Sequence, residues 1–122
     1  MIHNQPWLDL QNLDSRQRLA YHAGCSFAAN HLAVLFATGV KIFQQQNLAK
    51  NASEKAVAVL MQSALHNLLM LGVPQGVSGP VARKDWERVK AHARVLADKE
   101  RELYETLSKQ LEQLLYANNM PI

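Results

Sequence analysis

RLAYHAGCSFAANHLAVLFATGVKIF, residues 18–43, is the stretch whose reading decides the fold of this 122-residue chain. It is far longer than a strand, and it is apolar on most faces rather than along one stripe, the pattern of a helix buried from several sides. Its polar exceptions are ordered. His22, Ser26 and Asn30 follow one another at i, i+4 and i+8, so on an α-helix they share one face and drift only slowly around the axis. That stripe is one wall of any site the chain possesses, although it lacks a complete catalytic set.

Working outward, Asp14 with Gln17 three residues later has the form of a capping box, and the helix it opens is expected to run to about Asn47. Some thirty residues at about 1.5 Å each give roughly 50 Å, more than the width of roughly 30 Å of a compact domain of this size. The helix is therefore expected either to kink near Gly39 or to extend along a partner. Upstream, residues 1–13 carry Pro6, Trp7 and leucines 8, 10 and 13 without a helical period, which reads as an extended arm.

Downstream, Asn51 with Glu54 is a second start of capping-box form, followed by apolar residues at helical spacing from Ala56 to Leu71. Ser63 and Asn67 are a polar pair on this helix, and Asn67 needs partners for several hydrogen-bonding groups, from a site or from the central helix. Gly72 and Pro74 stop it. GVPQGVSGPVARKD, residues 72–85, is a compact loop, and Asp85 is the N-cap of a third helix whose basic face carries Arg88, Lys90 and Arg94. Asp98 breaks the chain before a last helix with a leucine seam through Leu107, Leu111 and Leu114. No strand longer than a few residues and no internal repeat is found. The expected class is all-α, a helical bundle with one long central helix, with one domain over residues 14–117 and a frayed tail over 118–122.

Composition narrows the function classes. Hydrophobic residues make up 48% of the chain, which argues for a folded domain rather than disorder. Thirteen basic and ten acidic residues leave a net charge of +3, a mildly basic, mixed surface that gives little support to nucleic-acid binding. The single cysteine, Cys25, permits no intrachain disulfide, and a reducing, cytoplasmic compartment is the expected one. Cys25 follows His22 by three residues, close enough to touch it, but inside a buried helix it reads as inert packing. MIHNQPWLDL has no basic start followed by an apolar block, so no signal peptide is expected. No membrane span is expected either, because His22, Asn30 and His31 interrupt the central stretch and the apolar run Leu32 to Val40 is too short to cross a bilayer. His22, His31, His66 and His92 form neither HxxxH nor HExxH, so no metal site is expected, and no glycine-rich phosphate loop is present.

The run Tyr21-His22-Ala-Gly-Cys-Ser-Phe-Ala-Ala-Asn30, the segment Ser78-Gly79-Pro80-Val81-Ala82-Arg83-Lys84-Asp85, and the later His92 and Leu103-Tyr104 resemble a known pattern. It is that of the helical C-terminal domain, of unknown function, that follows the cofactor domain in Rossmann-like NAD(P)-binding proteins. The likeness covers about residues 15–116. Lys84 stands where the pattern has glycine, and Gly24 and Cys25 replace alanines. The resemblance extends to ketopantoate reductase, pyrroline-5-carboxylate reductase and the β-hydroxyacid and 6-phosphogluconate dehydrogenases.

What it implies is a fold like the 6-phosphogluconate dehydrogenase C-terminal domain, a homodimer, and one wall of a substrate cleft. The chain itself would bind no cofactor, and NAD(P) would be held by a separate Rossmann domain, without which no activity is expected. In the β-hydroxyacid dehydrogenases a lysine precedes an asparagine by four residues on the long helix. If Asn30 corresponds to that asparagine, Ser26 stands at the lysine position, and a serine is a poor general acid near neutral pH. His22 is then the candidate for proton transfer, with Ser26 and Asn30 beside it as the catalytic set. Asn67, Ser78 and Arg83 are the substrate-binding set, with Arg83 suited to a carboxylate or phosphate. The alternative is a free-standing helical protein-interaction module.

Overall fold

The computed structural model describes residues 12–117. Among them are five α-helices, α1 (Ser15–Cys25), α2 (His31–Gln45), α3 (Lys50–Leu71), α4 (Trp86–Arg94) and α5 (Asp98–Tyr116), with a π-helical turn at Ser26–Asn30 between the first two, and no strand. The class is all-α, as expected. The tail over 118–122 and the arm up to residue 11 lie outside the described residues. Contacts divide the chain into two compact units, the first ending at Glu54 and the second starting at Lys55.

In the first unit the capping box forms as its spacing requires. Asp14 Oδ1 accepts from the Gln17 N–H at 2.8 Å, and the Asp14 N–H donates to Gln17 Oε1 at 2.9 Å, so two donors that an α-helix leaves unpaired at its start are satisfied. The long helical run then spans Ser15–Gln45, 31 residues. Gly39 does not bend it. That glycine lies within regular α2, where it lowers helix stability by about 1 kcal/mol relative to alanine without removing a hydrogen bond. The interruption falls instead at Ser26–Asn30, where the His31 N–H reaches back five residues to the Ser26 carbonyl.

α2 ends in a closure that its residues explain. The Asn47 N–H donates to the Gln44 carbonyl at 3.0 Å and the Leu48 N–H to the Phe43 carbonyl at 3.4 Å, the paired bonds of a Schellman motif. Asn47 takes the left-handed position with φ of 69°, where asparagine is among the few side chains readily tolerated. α3 begins at Lys50, with the Ser53 N–H bonded to the Ala49 carbonyl. Asn51 is therefore inside the first turn and not its cap.

The second unit is closed at both ends of its loop. Gly72 has φ of 71° and stops α3, and Asp85 Oδ1 caps α4 by accepting from the Arg88 N–H. α4 and α5 are tied by side chains. Arg101 donates from Nε to the Ala93 carbonyl and from Nη2 to the Leu96 carbonyl, both at 2.8 Å, adding a side-chain donor to an Ala93 carbonyl that also accepts from the Leu96 N–H and tying the turn beyond α4 to α5. His92 Nδ1 and the Tyr104 hydroxyl are hydrogen-bonded at 2.9 Å.

The interior is small. Val40, Val57, Val81 and Ala93 are the buried apolar side chains among the described residues. The central helix is not buried from several sides within one chain: Leu19 and Phe27 are 72% and 73% exposed, and Val34 and Leu35 are also open. Cys25 is exposed rather than packed. On α3, Leu60, Leu65, Leu69 and Met70 likewise face outward. Ser53 is the fully buried polar residue, and its Oγ makes no hydrogen bond to a described residue. A buried hydroxyl without a partner keeps its desolvation cost. Ser53→Ala is expected to raise stability by about 1 kcal/mol, read as a higher midpoint in denaturant unfolding; a lower midpoint would show that the hydroxyl is paired.

Candidate functional site

The six candidate residues fall in two groups of three, one in each unit. In the first unit, His22 is in the last turn of α1, and Ser26 and Asn30 open and close the π-turn. The widened turn changes their alignment. On an α-helix four residues overshoot a full turn by about 40°, whereas in a π-turn of about 4.4 residues four residues fall about 30° short of one. His22 to Ser26 drifts one way and Ser26 to Asn30 drifts back. With these ideal windings Asn30 comes back to within about 10° of the His22 direction, where an uninterrupted α-helix would carry it about 80° away. A π-turn at this place therefore straightens the stripe relative to its spacing on an α-helix.

His22 and Asn30 are exposed and Ser26 is half-buried. Two aromatic contacts frame them: the Tyr21 ring meets His22 edge-on at 5.7 Å between centroids, and Phe27 meets His31 edge-on at 4.8 Å across the π-turn. Partial desolvation raises the Tyr21 phenol above its ordinary value, and a hydrogen bond with Cys25 and the charge of its thiolate push the same way. Tyr21 therefore stays a neutral hydrogen-bonding group beside His22 through the physiological range. SFAAN contains neither proline nor glycine, so no residue propensity marks the widened turn.

In the second unit, Asn67 is half-buried on α3, and Ser78 and Arg83 are exposed on the loop. The loop is held against α3 through Gly76, whose N–H donates to the Gly72 carbonyl at 2.7 Å. A Cβ on Gly76 would come within 2.5 Å of the Asn67 carbonyl oxygen and 2.7 Å of that of Gly72. Only glycine lets the two backbones approach this closely.

The Ser78–Asp85 segment ends in a second Schellman closure. The Lys84 N–H donates to the Val81 carbonyl and the Asp85 N–H to the Pro80 carbonyl. Lys84 holds the left-handed position at φ of 58°, which a glycine occupies most cheaply and where the resembled pattern has one. Its ammonium lies 4.6 Å over the Tyr116 ring, a cation–π contact that offsets part of the cost of about 1–2 kcal/mol of that conformation. The Tyr116 hydroxyl donates to the carbonyls of Val81 and Ala82. Tyr116 thus anchors the loop bearing Arg83, a role that no motif signalled.

Tyr104 is raised above the ordinary phenol value by burial, against the opposing effect of its hydrogen bond with Ser108. Among the described residues no three His, Cys, Asp or Glu side chains are placed to hold a metal ion.

These features define an all-α domain with two polar surfaces, a straightened stripe on a long helix and a glycine–proline loop clamped by a tyrosine. The chain belongs to the family described as Domain of unknown function (DUF2520), whose model matches residues 8–111. No curated protein and no solved structure matches it.

Gly76→Ala tests the clamp on the loop. Backbone atoms block the methyl group, so the substitution is expected to cost about 2–3 kcal/mol in urea unfolding. A cost below about 0.5 kcal/mol would show that the loop does not rest on α3.

Proposed function

We propose that this chain is the substrate-side and dimerisation domain of an NAD(P)-dependent oxidoreductase whose Rossmann domain is not part of these 122 residues. The observation that carries dimerisation is the exposed apolar surface of the Ser15–Gln45 run, where an 18-residue window of mean hydropathy 1.3 is only 6% buried. Contiguous apolar surface of this kind marks an interface. By length and composition the same helix could cross a membrane. His22, Ser26 and Asn30 along one line speak against hydrocarbon, because each would leave polar groups there at a cost of several kcal/mol. A second copy of the chain covers the apolar faces and leaves that line open.

The oxidoreductase reading rests on the residue pattern of Tyr21–Asn30 and Ser78–Asp85. NAD(P), held by the other domain, supplies hydride transfer. The chain's own residues bind and orient. His22 moves a proton at the substrate oxygen, the Ser26 hydroxyl and the Asn30 amide hydrogen-bond to that oxygen or its neighbour, and Arg83 holds a carboxylate or phosphate group, with Ser78 and Asn67 as further donors. Such an enzyme works in a reducing, cytoplasmic compartment, in keeping with an exposed, unpaired Cys25.

Light scattering on the 122-residue chain at micromolar concentration is expected to give a dimer mass. A single monomeric species that melts cooperatively would overturn the dimer and move the interaction-module reading ahead. In a chain that carries the cofactor domain, His22→Gln is expected to lower kcat by about 100-fold or more while nicotinamide affinity holds. Unchanged kcat would remove His22 from proton transfer.

A further inference from the structure

Independently of the stripe and the loop, the helix pair of the second unit carries a groove with an internal division of labour. Two open cavities lie along α4 and α5. One, of about 410 Å³, is lined by Lys90, Arg94 and Arg101, with Ala93 as its floor and Glu105 at its edge. The other, of about 270 Å³, has Trp86 and Val89 on α4 and is also bordered by Glu105. Lys109 and Glu112 on the second cavity cancel in formal charge. Glu105 borders both, so the two cavities adjoin along the helix pair, one cationic and the other aromatic.

The cationic end is only weakly neutralised by the protein. Besides Glu105, two carboxylates pair with its cations and both are solvated: Glu87 lies 3.6 Å from Lys90 with 88% of its side chain exposed, and Asp98 lies 3.7 Å from Arg101 and is fully exposed. Ion pairs of this kind contribute little. Among the lining residues three cations stand against Glu105 alone, an excess of +2 that the solvated Glu87 and Asp98 screen only weakly and that suits the charge of about −1.5 to −2 of a phosphate monoester near pH 7. One of the cations is already in place. Arg101 is fixed by its two bonds to the Ala93 and Leu96 carbonyls, so little rotamer freedom remains for it to lose on binding. Lys90 and Arg94 are one turn apart on α4 and reach the same side.

We propose that the α4–α5 groove binds a small phosphate monoester with a flat apolar body, the phosphate among Lys90, Arg94 and Arg101 and the body against Trp86 and Val89. The geometry assigns the phosphate end its affinity through charge-assisted hydrogen bonds and the aromatic end its preference through ring contact.

The test uses the fluorescence of Trp86. The chain has two tryptophans, so Trp7→Phe leaves Trp86 as the sole reporter. Phenyl phosphate at low salt is expected to change its emission saturably and to bind several-fold more tightly than inorganic phosphate, which reads as competition. Lys90→Ala with Arg94→Ala is expected to weaken binding at least about tenfold. Glu105→Gln, which removes the opposing charge, is expected to strengthen it, a gain that damage to the fold could not produce. No saturable response to phenyl phosphate, equal affinity in the double variant, or weaker binding by Glu105→Gln would each overturn the proposal.

Discussion

The exposed apolar surface of the Ser15–Gln45 run is the constraint on which the rest of the molecule depends. A helix of 31 residues satisfies its own backbone internally but cannot cover its own side chains, and burial of apolar area is the main favourable term in folding. With Val40 as the one buried residue of α2, the hydrophobic contribution from this helix within one chain is small. In the proposed dimer, folding and association are linked in the manner of chains whose stability depends on protomer concentration. There the polar line from His22 to Asn30 would have to escape the same burial, which restricts the faces of the helix that such a dimer could use.

The second unit solves a different problem by different means. Its turns and helix ends expose many backbone carbonyls, and polar side chains rather than apolar bulk gather them. Arg101 takes two at the end of α4, and Tyr116 takes two in the Val81–Ala82 turn. Gly76 lets the loop backbone rest on the carbonyl of Asn67. Such bonds contribute about 1 kcal/mol each, but they fix position as well as energy, so the loop bearing Ser78 and Arg83 is held from both of its ends.

Much of this was legible in the sequence wherever the determinant is local. Asp14 with Gln17, Gly72 before Pro74, and Asp85 mark their helix ends because each acts within four residues. The all-α class followed from periodicity. Asn51 misled because its spacing to Glu54 imitates a cap, while the chain had already turned at Asn47 and entered the helix at Lys50. The π-turn was not legible, since SFAAN has ordinary helix formers and the widening is a matter of backbone register. Tyr116 was hidden for the opposite reason. Its partners are carbonyls more than thirty residues away, and carbonyls carry no sequence signature. Of the candidate site, the residue types were readable; the straightness of the stripe and the anchoring of the loop were not.

The widened turn also separates the length of the helix from the facing of its two halves. It holds one residue more than an α ladder of the same span would need. Loss of a single residue between Ser26 and Asn30 would leave a continuous, more regular helix, and because five residues of π-turn wind about as far as four of α-helix it would turn everything beyond by only about 10°. Asn30 would stay within about 20° of His22, and the apolar stripe of α2 would keep its facing relative to α1. In this segment the extra residue changes which side chains stand within the turn and leaves the surfaces on either side of it in register.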